Sequence, residues 1–251
     1  MQRLRRLVGR RTARQADRAF VVEGVKVLSE ALAAGAPIES VYVAPGTNDP
    51  VIDACVTAGV RVYELAAGVL ERVTDTVTPQ PVLGVVPFVD VPLDRLQQAT
   101  FVLVLVDVRD PGNAGTVIRT AEAAGAGGVV CCDGSVDLFN PKTVRASAGA
   151  VFHVPVVSGG DAVEVLDTLG AWGLRRFGTV AHTGTDYAAA DLTRAVALVL
   201  GNEAHGLPPD VSGHLDELVT VPMSGRSESL NVSMAAAVLC FETARQRRLA
   251  G

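Results

Sequence analysis

Aromatic residues are scarce in this chain of 251 residues: seven Phe, three Tyr and one Trp make up 4% of it. Stacking platforms of the kind that read single strands are therefore not evident. With 49% hydrophobic residues and so few rings, the core must be mostly Val, Leu and Ala. That composition suits buried parallel strands covered by helices. No run of 18 apolar residues occurs, so no membrane-spanning helix is expected. The opening, MQRLRRLVGRR, has no apolar segment behind its charges and does not read as a secretory signal. Cysteine is also sparse. Cys55, Cys131, Cys132 and Cys240 form no CxxC pair and no metal-ligand spacing, and adjacent cysteines rarely bridge. They are expected as small buried hydrophobes in a reducing cytoplasm, with neither a metal nor a membrane as partner. The four histidines, 153, 182, 205 and 214, share no metal or triad spacing and are expected to be structural or solvent-facing.

Positive charge is short overall, at a net −5, but it is unevenly placed. The first eighteen residues hold seven arginines and one aspartate, a local +6 that leaves −11 on the remainder. An acidic body with a basic N-terminal segment can dock a polyanion locally. A solvated amphipathic helix without a partner explains the same charges.

From Phe20 onward, short apolar runs alternate with helical periodicity. FVVEG, ESVYVA, RVYEL and PVLGVVPF read as strands, with VKVLSEALAAG, DPVIDACVTAG and AAGVLERVTD as helices, a small α/β unit. The two prolines of VPFVDVPLDRLQQAT mark a linker. A second unit follows, with strands at FVLVLVD, GGVVCCD, FHVPVV, FGTVAH, VALVLG and ELVTVP. Its helices are AGTVIRTAEAAG, DAVEVLDTLGAWG and SLNVSMAAAVLCFETARQRR. Near-continuous Val/Leu strands with helices between them predict a parallel sheet covered on both faces. The expected domains are residues 1–92 and 93–251. In the last helix Leu230, Met234, Val238 and Phe241 share one face and are expected in the core, with Ser229 as N-cap and RQRR complementing the helix dipole.

Three segments end a predicted strand with an unusual polar turn: DVRDPGNAGTVIR, LGNEAHGLPPD and VPMSGRSESLN. In a parallel sheet such turns gather along the carboxyl edge, where ligands bind. The first lacks both the glycine spacing of a dinucleotide fingerprint and a P-loop lysine, which ranks a nucleotide-dependent dehydrogenase last.

Together these segments resemble the three motifs of the SpoU (TrmH-like) family of RNA 2′-O-ribose methyltransferases, in the SPOUT superfamily. Asp110, Pro111, Asn113, Gly115 and Arg119 match the first motif. Gly201, Asn202, Glu203 and Gly206 match the second, and Pro222, Met223, Ser229, Leu230 and Asn231 the third. FVVEGVKVLSEALAAGAPIESVYVA is similar to an N-terminal substrate-binding domain of one branch, a small fold like ribosomal protein L30e. The resemblance implies an enzyme with a deep trefoil knot in its C-terminal sheet, and S-adenosylmethionine as methyl donor. It also implies a homodimer whose active site is completed across subunits. RNA is the implied substrate, ribosomal before transfer RNA. A non-catalytic RNA-binding ribosome-assembly protein of the same fold is the alternative from another class.

By that resemblance Arg119, Asn113, Glu203, Ser229 and Asn231 are catalytic, and Gly201, Asn202, Glu203, Val221, Met223, Ser229 and Leu230 surround the methyl donor. Arg3, Arg10, Arg11, Arg119, Arg145 and Ser147 are the expected RNA contacts. Two roles stay open for Arg119. Family accounts make it the general base, yet a guanidinium is not readily deprotonated in proteins. It can instead remain charged, grip a phosphate and stabilise the developing oxyanion.

Overall fold

The structure is a computed structural model that describes residues 1–74 and 79–251. Its contacts divide the chain into two compact units, Met1–Val89 with Phe139–His153, and Asp90–Leu138 with Val154–Gly251.

In the first unit α1 (Gln2–Gly9) and α2 (Arg11–Asp17) precede β1 (Ala19–Glu23), α3 (Val25–Ala33), β2 (Ser40–Val43), α4 (Pro50–Thr57), β3 (Arg61–Glu64) and β4 (Val82–Pro87). The four strands form one sheet in the order β1-β4-β2-β3. β4 runs antiparallel to β1 and β2, and β2 pairs in parallel with the edge strand β3. Leu4, Leu7 and Val8 of α1 bury themselves on the face that carries Val21, Leu83 and Val85. The helix expected over residues 66–75 is only one 3-10 turn, Leu70–Arg72, within its described part. Gly68, in the left-handed region at φ +74°, breaks the helical path just before it. Residue 75 lies outside the described residues.

Residues 139–153 lie in sequence between the first two motifs, yet they join the first unit. The physical reason is aromatic. Phe20 is fully buried, with ring centroids 4.8 Å from Phe139, 6.0 Å from Phe152 and 6.3 Å from Phe88. Four of the seven phenylalanines therefore meet in one cluster. The short helix α6 (Pro141–Ala146), capped by Asn140, runs through this segment.

The second unit holds β5 (Phe101–Leu105), α5 (Pro111–Ala123), β6 (Gly128–Cys131), β7 (Val156–Ser158), α7 (Ala162–Ala171), β8 (Arg175–Thr179), β9 (Thr185–Asp186), β10 (Val196–Leu200), α8 (Pro209–Ser212), β11 (Glu217–Thr220) and α9 (Val232–Ala250). Its strands stand in the order β7-β6-β5-β10-β8-β11-β9, and every pairing between described strands is parallel. β5 and β10 are buried along their whole length, as continuous Val/Leu runs require when both faces are covered. Val165, Leu166 and Leu169 of α7 and Val211 of α8 pack on one face with Val102, Val104 and Val199. α5 and α9 pack against each other and against β6 and β10 respectively.

Two expectations about α9 are corrected. Its buried face is Val232, Ala236, Leu239, Cys240 and Thr243, whereas Leu230, Met234 and Phe241 are 37%, 56% and 50% exposed. Both sets recur at helical spacing, so period alone could not choose between them. The N-cap is Asn231 rather than Ser229: its side chain accepts from the Ser233 N–H. The basic last turn, Arg247 and Arg248, stands as expected.

Phe20→Ala removes the ring shared by the other three phenylalanines. We expect a loss of about 3–5 kcal/mol, read as a lower denaturation midpoint, with partial loosening of residues 139–153 in hydrogen exchange.

Candidate active site

Three turns follow directly from strands that are neighbours or near neighbours in the parallel sheet. β5 ends at Leu105 and β10 at Leu200, registered opposite one another, and β11 ends at Thr220. Each turn therefore opens at the same carboxyl edge, the place where a parallel sheet leaves room for a ligand.

The first turn bends at Asp107, a non-glycine residue at φ +55°. Asp tolerates this region better than most side chains, and such strain collects at functional sites. The bend is held by Asn202 from the second turn, whose Nδ2 donates to the Asp107 carbonyl at 2.9 Å and to its carboxylate at 3.1 Å. The Arg109 guanidinium donates to the same carboxylate at 2.8 and 2.9 Å. Asn202 in turn accepts from the Ala204 and His205 N–H groups, which curls the second turn on itself. Gly201 must be glycine. A Cβ there would lie 2.5–2.6 Å from the backbone of Gly206 and Leu207, which cannot give way.

Asp110 caps α5 by accepting the Asn113 N–H at 2.8 Å, behind Pro111 in the first helical turn. Asn113 is thereby released from the capping role. Its Nδ2 donates to Glu203 at 3.0 Å, and its Oδ1 accepts from Asn231 Nδ2 at 3.0 Å. One amide thus joins all three turns. Glu203 also accepts the Arg109 and Asp110 N–H groups at 3.3 and 3.2 Å. Partial burial pushes the Glu203 carboxyl upward, but the Asn113 and backbone donors outweigh it and hold it below the usual carboxylate range.

Beside this network lies a cleft of about 510 Å³. Gly201, Asn202, Glu203, Val221, Ser229 and Leu230 line it, together with Val180, Leu207, Val219 and Leu239. An apolar wall with convergent backbone and a few polar groups fits a nucleoside-sized ligand. Of the expected donor-binding residues only Met223, half-buried, is not part of the lining. His182 and His205, read as structural or solvent-facing, both reach it. Among the described residues no His/Cys/Asp/Glu cluster could hold a metal.

Arg119 projects from the exposed face of α5 and makes no hydrogen bond or ion pair among the described residues. It does not line the cleft of its own chain. The other expected RNA contacts lie in the first unit. Arg3 is half exposed and bonded to Asp17 and Glu39 at 2.9 and 2.7 Å. Arg10 and Arg11 are exposed. Arg145 donates to the buried carboxylate of Glu23 at 2.6 Å. Ser147 is fully buried, its hydroxyl committed to the Val144 carbonyl at 2.7 Å. Sequence reasoning passed over Asp107 and Arg109. Their only signal was an aspartate directly behind a buried strand, where a positive φ is most often needed.

Known proteins share this architecture. The profile of the SpoU rRNA Methylase family matches residues 100–241, and that of the MRM3-like substrate binding domain matches residues 1–84. The 23S rRNA (guanosine(2553)-2′-O)-methyltransferase RlmP of Bacillus subtilis is 36% identical, covering 88% of this chain and 87% of its own. Among solved structures, the SpoU methyltransferase AviRb of Streptomyces viridochromogenes with AdoMet superposes with a TM-score of 0.88. It is 31% identical and covers 100% of this chain and 98% of its own. The AdoMet-bound rRNA methyltransferase of Sinorhizobium meliloti gives 0.86 at 33% identity, covering 97% and 93%.

Because the Glu203 pKa is depressed, its hydrogen bonds stabilise the fold above the ordinary carboxylate value of about 4.3 and are lost as pH falls through the lower native value. Glu203→Gln is expected to flatten that acid-side loss in denaturation curves recorded across this range. An unchanged slope would mean that the network contributes nothing.

Proposed function

The chain belongs to the SpoU rRNA methylase family, and from that premise we propose that it methylates a ribose 2′-hydroxyl of ribosomal RNA in the cytoplasm. It is an RNA methyltransferase, and S-adenosylmethionine is its methyl donor. The observation that carries the residue assignments is the Asn113 bridge, which gathers the polar residues of three turns beside one cleft of nucleoside size. The choice of ribosomal RNA is supported by the first unit's match to a substrate-binding domain and by the activity named for RlmP.

The cleft residues fit the donor: the glycine-tight turn at Gly201 offers backbone polar groups, and Val221, Leu230 and Leu239 offer an apolar wall. When bound, S-adenosylmethionine supplies a methyl group already activated on a sulfonium sulfur. The protein's own residues then orient the ribose, exclude water and favour alkoxide character at the attacking oxygen. Holding that oxygen about 3 Å from its target removes most of the entropic cost. In this reading Ser229, on the cleft wall, and the amides of Asn113 and Asn231 fix the ribose. Glu203, kept ionised, fixes Asn113.

Arg119 acts in this reading as a permanent cation. With no carboxylate partner among the described residues it is available to a substrate phosphate and to a developing oxyanion. It serves the cleft of a second copy. α5 and α9 pack against one another; α5 leaves Arg119 exposed, and Leu230, Met234 and Phe241, at and just before α9, are uncovered. A homodimer closing over this apolar stripe would bring in the partner's Arg119. The knotted C-terminal path belongs to the same family-based reading.

The test is transfer of labelled methyl to unmodified ribosomal RNA and transfer RNA. We expect label at a ribose in ribosomal RNA, and Arg119→Ala to reduce the rate by about 10²–10³. Label in transfer RNA alone would overturn the substrate choice. Mixing Arg119→Ala with Gly201→Ala chains then separates the two architectures. A shared site restores one active site per mixed dimer, whereas a site within one chain restores none.

A further inference from the structure

The first unit contains a pair of rings outside the methyl-transfer site, one packed against the core and the other exposed. Tyr42 of β2 and Tyr63 of β3 stand opposite in register, with ring centroids 5.4 Å apart and planes 22° from parallel. Tyr42 is the inner member, packed beside Leu83 and Val85. Tyr63 is the outer one, 44% exposed on the edge strand. Among the described residues no strand lies beyond β3, and the stack ends on an accessible ring.

The surroundings of that ring carry positive charge. Arg61 lies two residues before Tyr63, on the same face by strand alternation. It is exposed and makes no hydrogen bond or ion pair among the described residues. Its register partner Ser40 adjoins Glu39, and Glu39 holds Arg3 of the basic helix α1 at 2.7 Å. Arg3 keeps 47% of its side chain exposed there, and Arg6 of the same helix keeps 48% exposed beside Asp17. The acidic neighbour Glu64 points to the opposite face. A flat aromatic face bordered by arginines is the chemistry that holds a nucleobase and its phosphates.

We propose that Tyr63, backed by Tyr42, is a stacking platform for one unpaired base of the RNA substrate, with Arg61 and the α1 arginines on the flanking phosphates. The natural ligand rests on the ribosomal-RNA reading; the ring geometry does not. Any unpaired base suffices, because every base offers a π face. The platform belongs to the edge of the first unit's sheet, and the residues of the cleft belong to the second unit.

The probe is a labelled single-stranded oligoadenylate, titrated against the full-length protein and three variants by fluorescence anisotropy at fixed salt. Tyr63→Leu keeps bulk but loses the π face and should weaken binding by about 5- to 150-fold. Tyr63→Phe should bind as wild type, and Arg61→Ala should make the salt dependence shallower. S-adenosylmethionine affinity should be the same in all four proteins. Equal oligoadenylate binding by wild type and Tyr63→Leu, or an equal loss in Tyr63→Phe, would overturn the platform. Ribosomal RNA methylated by Tyr63→Leu with unchanged KM would also overturn it, while leaving the methyltransferase reading intact. Tyr63-dependent oligoadenylate binding in a protein that methylates no RNA would uphold the platform and remove that reading.

Discussion

Everything at the carboxyl edge of the parallel sheet depends on Asn113 having both a donor and an acceptor to give. Its amide donates to Glu203 and accepts from Asn231, so a single planar group spans the turns behind β5, β10 and β11. An aspartate would lose the donor and set a second carboxylate against Glu203, and a leucine would remove both bonds, leaving Glu203 held from the first turn's backbone. Asp110 makes the arrangement possible by taking over the cap of α5. Asn202 repeats the same logic at Asp107. The edge is held by two amides used in both directions.

Much of this was legible before any coordinates. Continuous Val/Leu runs correctly announced β5 and β10, and three polar turns in one order pointed to a shared site. The family resemblance named the residues that do meet there: Asn113, Glu203, Asn231 and, on the cleft wall, Gly201, Asn202, Val221, Ser229 and Leu230. Other features could not be read. The Leu230, Met234, Val238 and Phe241 stripe and the buried stripe of α9 have the same period, and only tertiary packing tells them apart. Ser229 and Asn231 are both good caps two residues apart, and the helix begins at Val232, which gives the cap to Asn231. The pairing of Tyr42 with Tyr63 depends on strand register, which a count of aromatic residues cannot contain. Nor does any local signal say that Phe139 and Phe152 will close on Phe20.

The basic N-terminal segment is less of an electrostatic arm than its arginine count suggests. Arg14 is buried, donating to the Leu7 and Val8 carbonyls at the end of α1. Arg3 and Arg6 are partly neutralised by Asp17, and Arg3 also by Glu39. These arginines are first of all structural cations that dock two helices onto a sheet. A polyanion that engaged their outward edges would meet a fixed surface, which avoids the ordering cost a disordered tail would meet.

Arg247 gives α9 a property of its own. Its guanidinium donates to the carbonyls of Thr100, Leu192 and Arg194 and lies over the Phe101 ring, 5.3 Å from its centroid. At the other end of the helix Asn231 is bonded into the three-turn network. Nineteen residues of helix span about 28 Å, so α9 is a strut clamped at both ends. Its two anchorages hold the roots and the tips of the same strands, the N-terminal ends of β5 and β10 and the turns that follow them. Twist or shear imposed on the sheet at one edge is therefore conveyed to the other by a rigid rod as well as through the strands, and the cleft keeps its shape as a property of the whole layer.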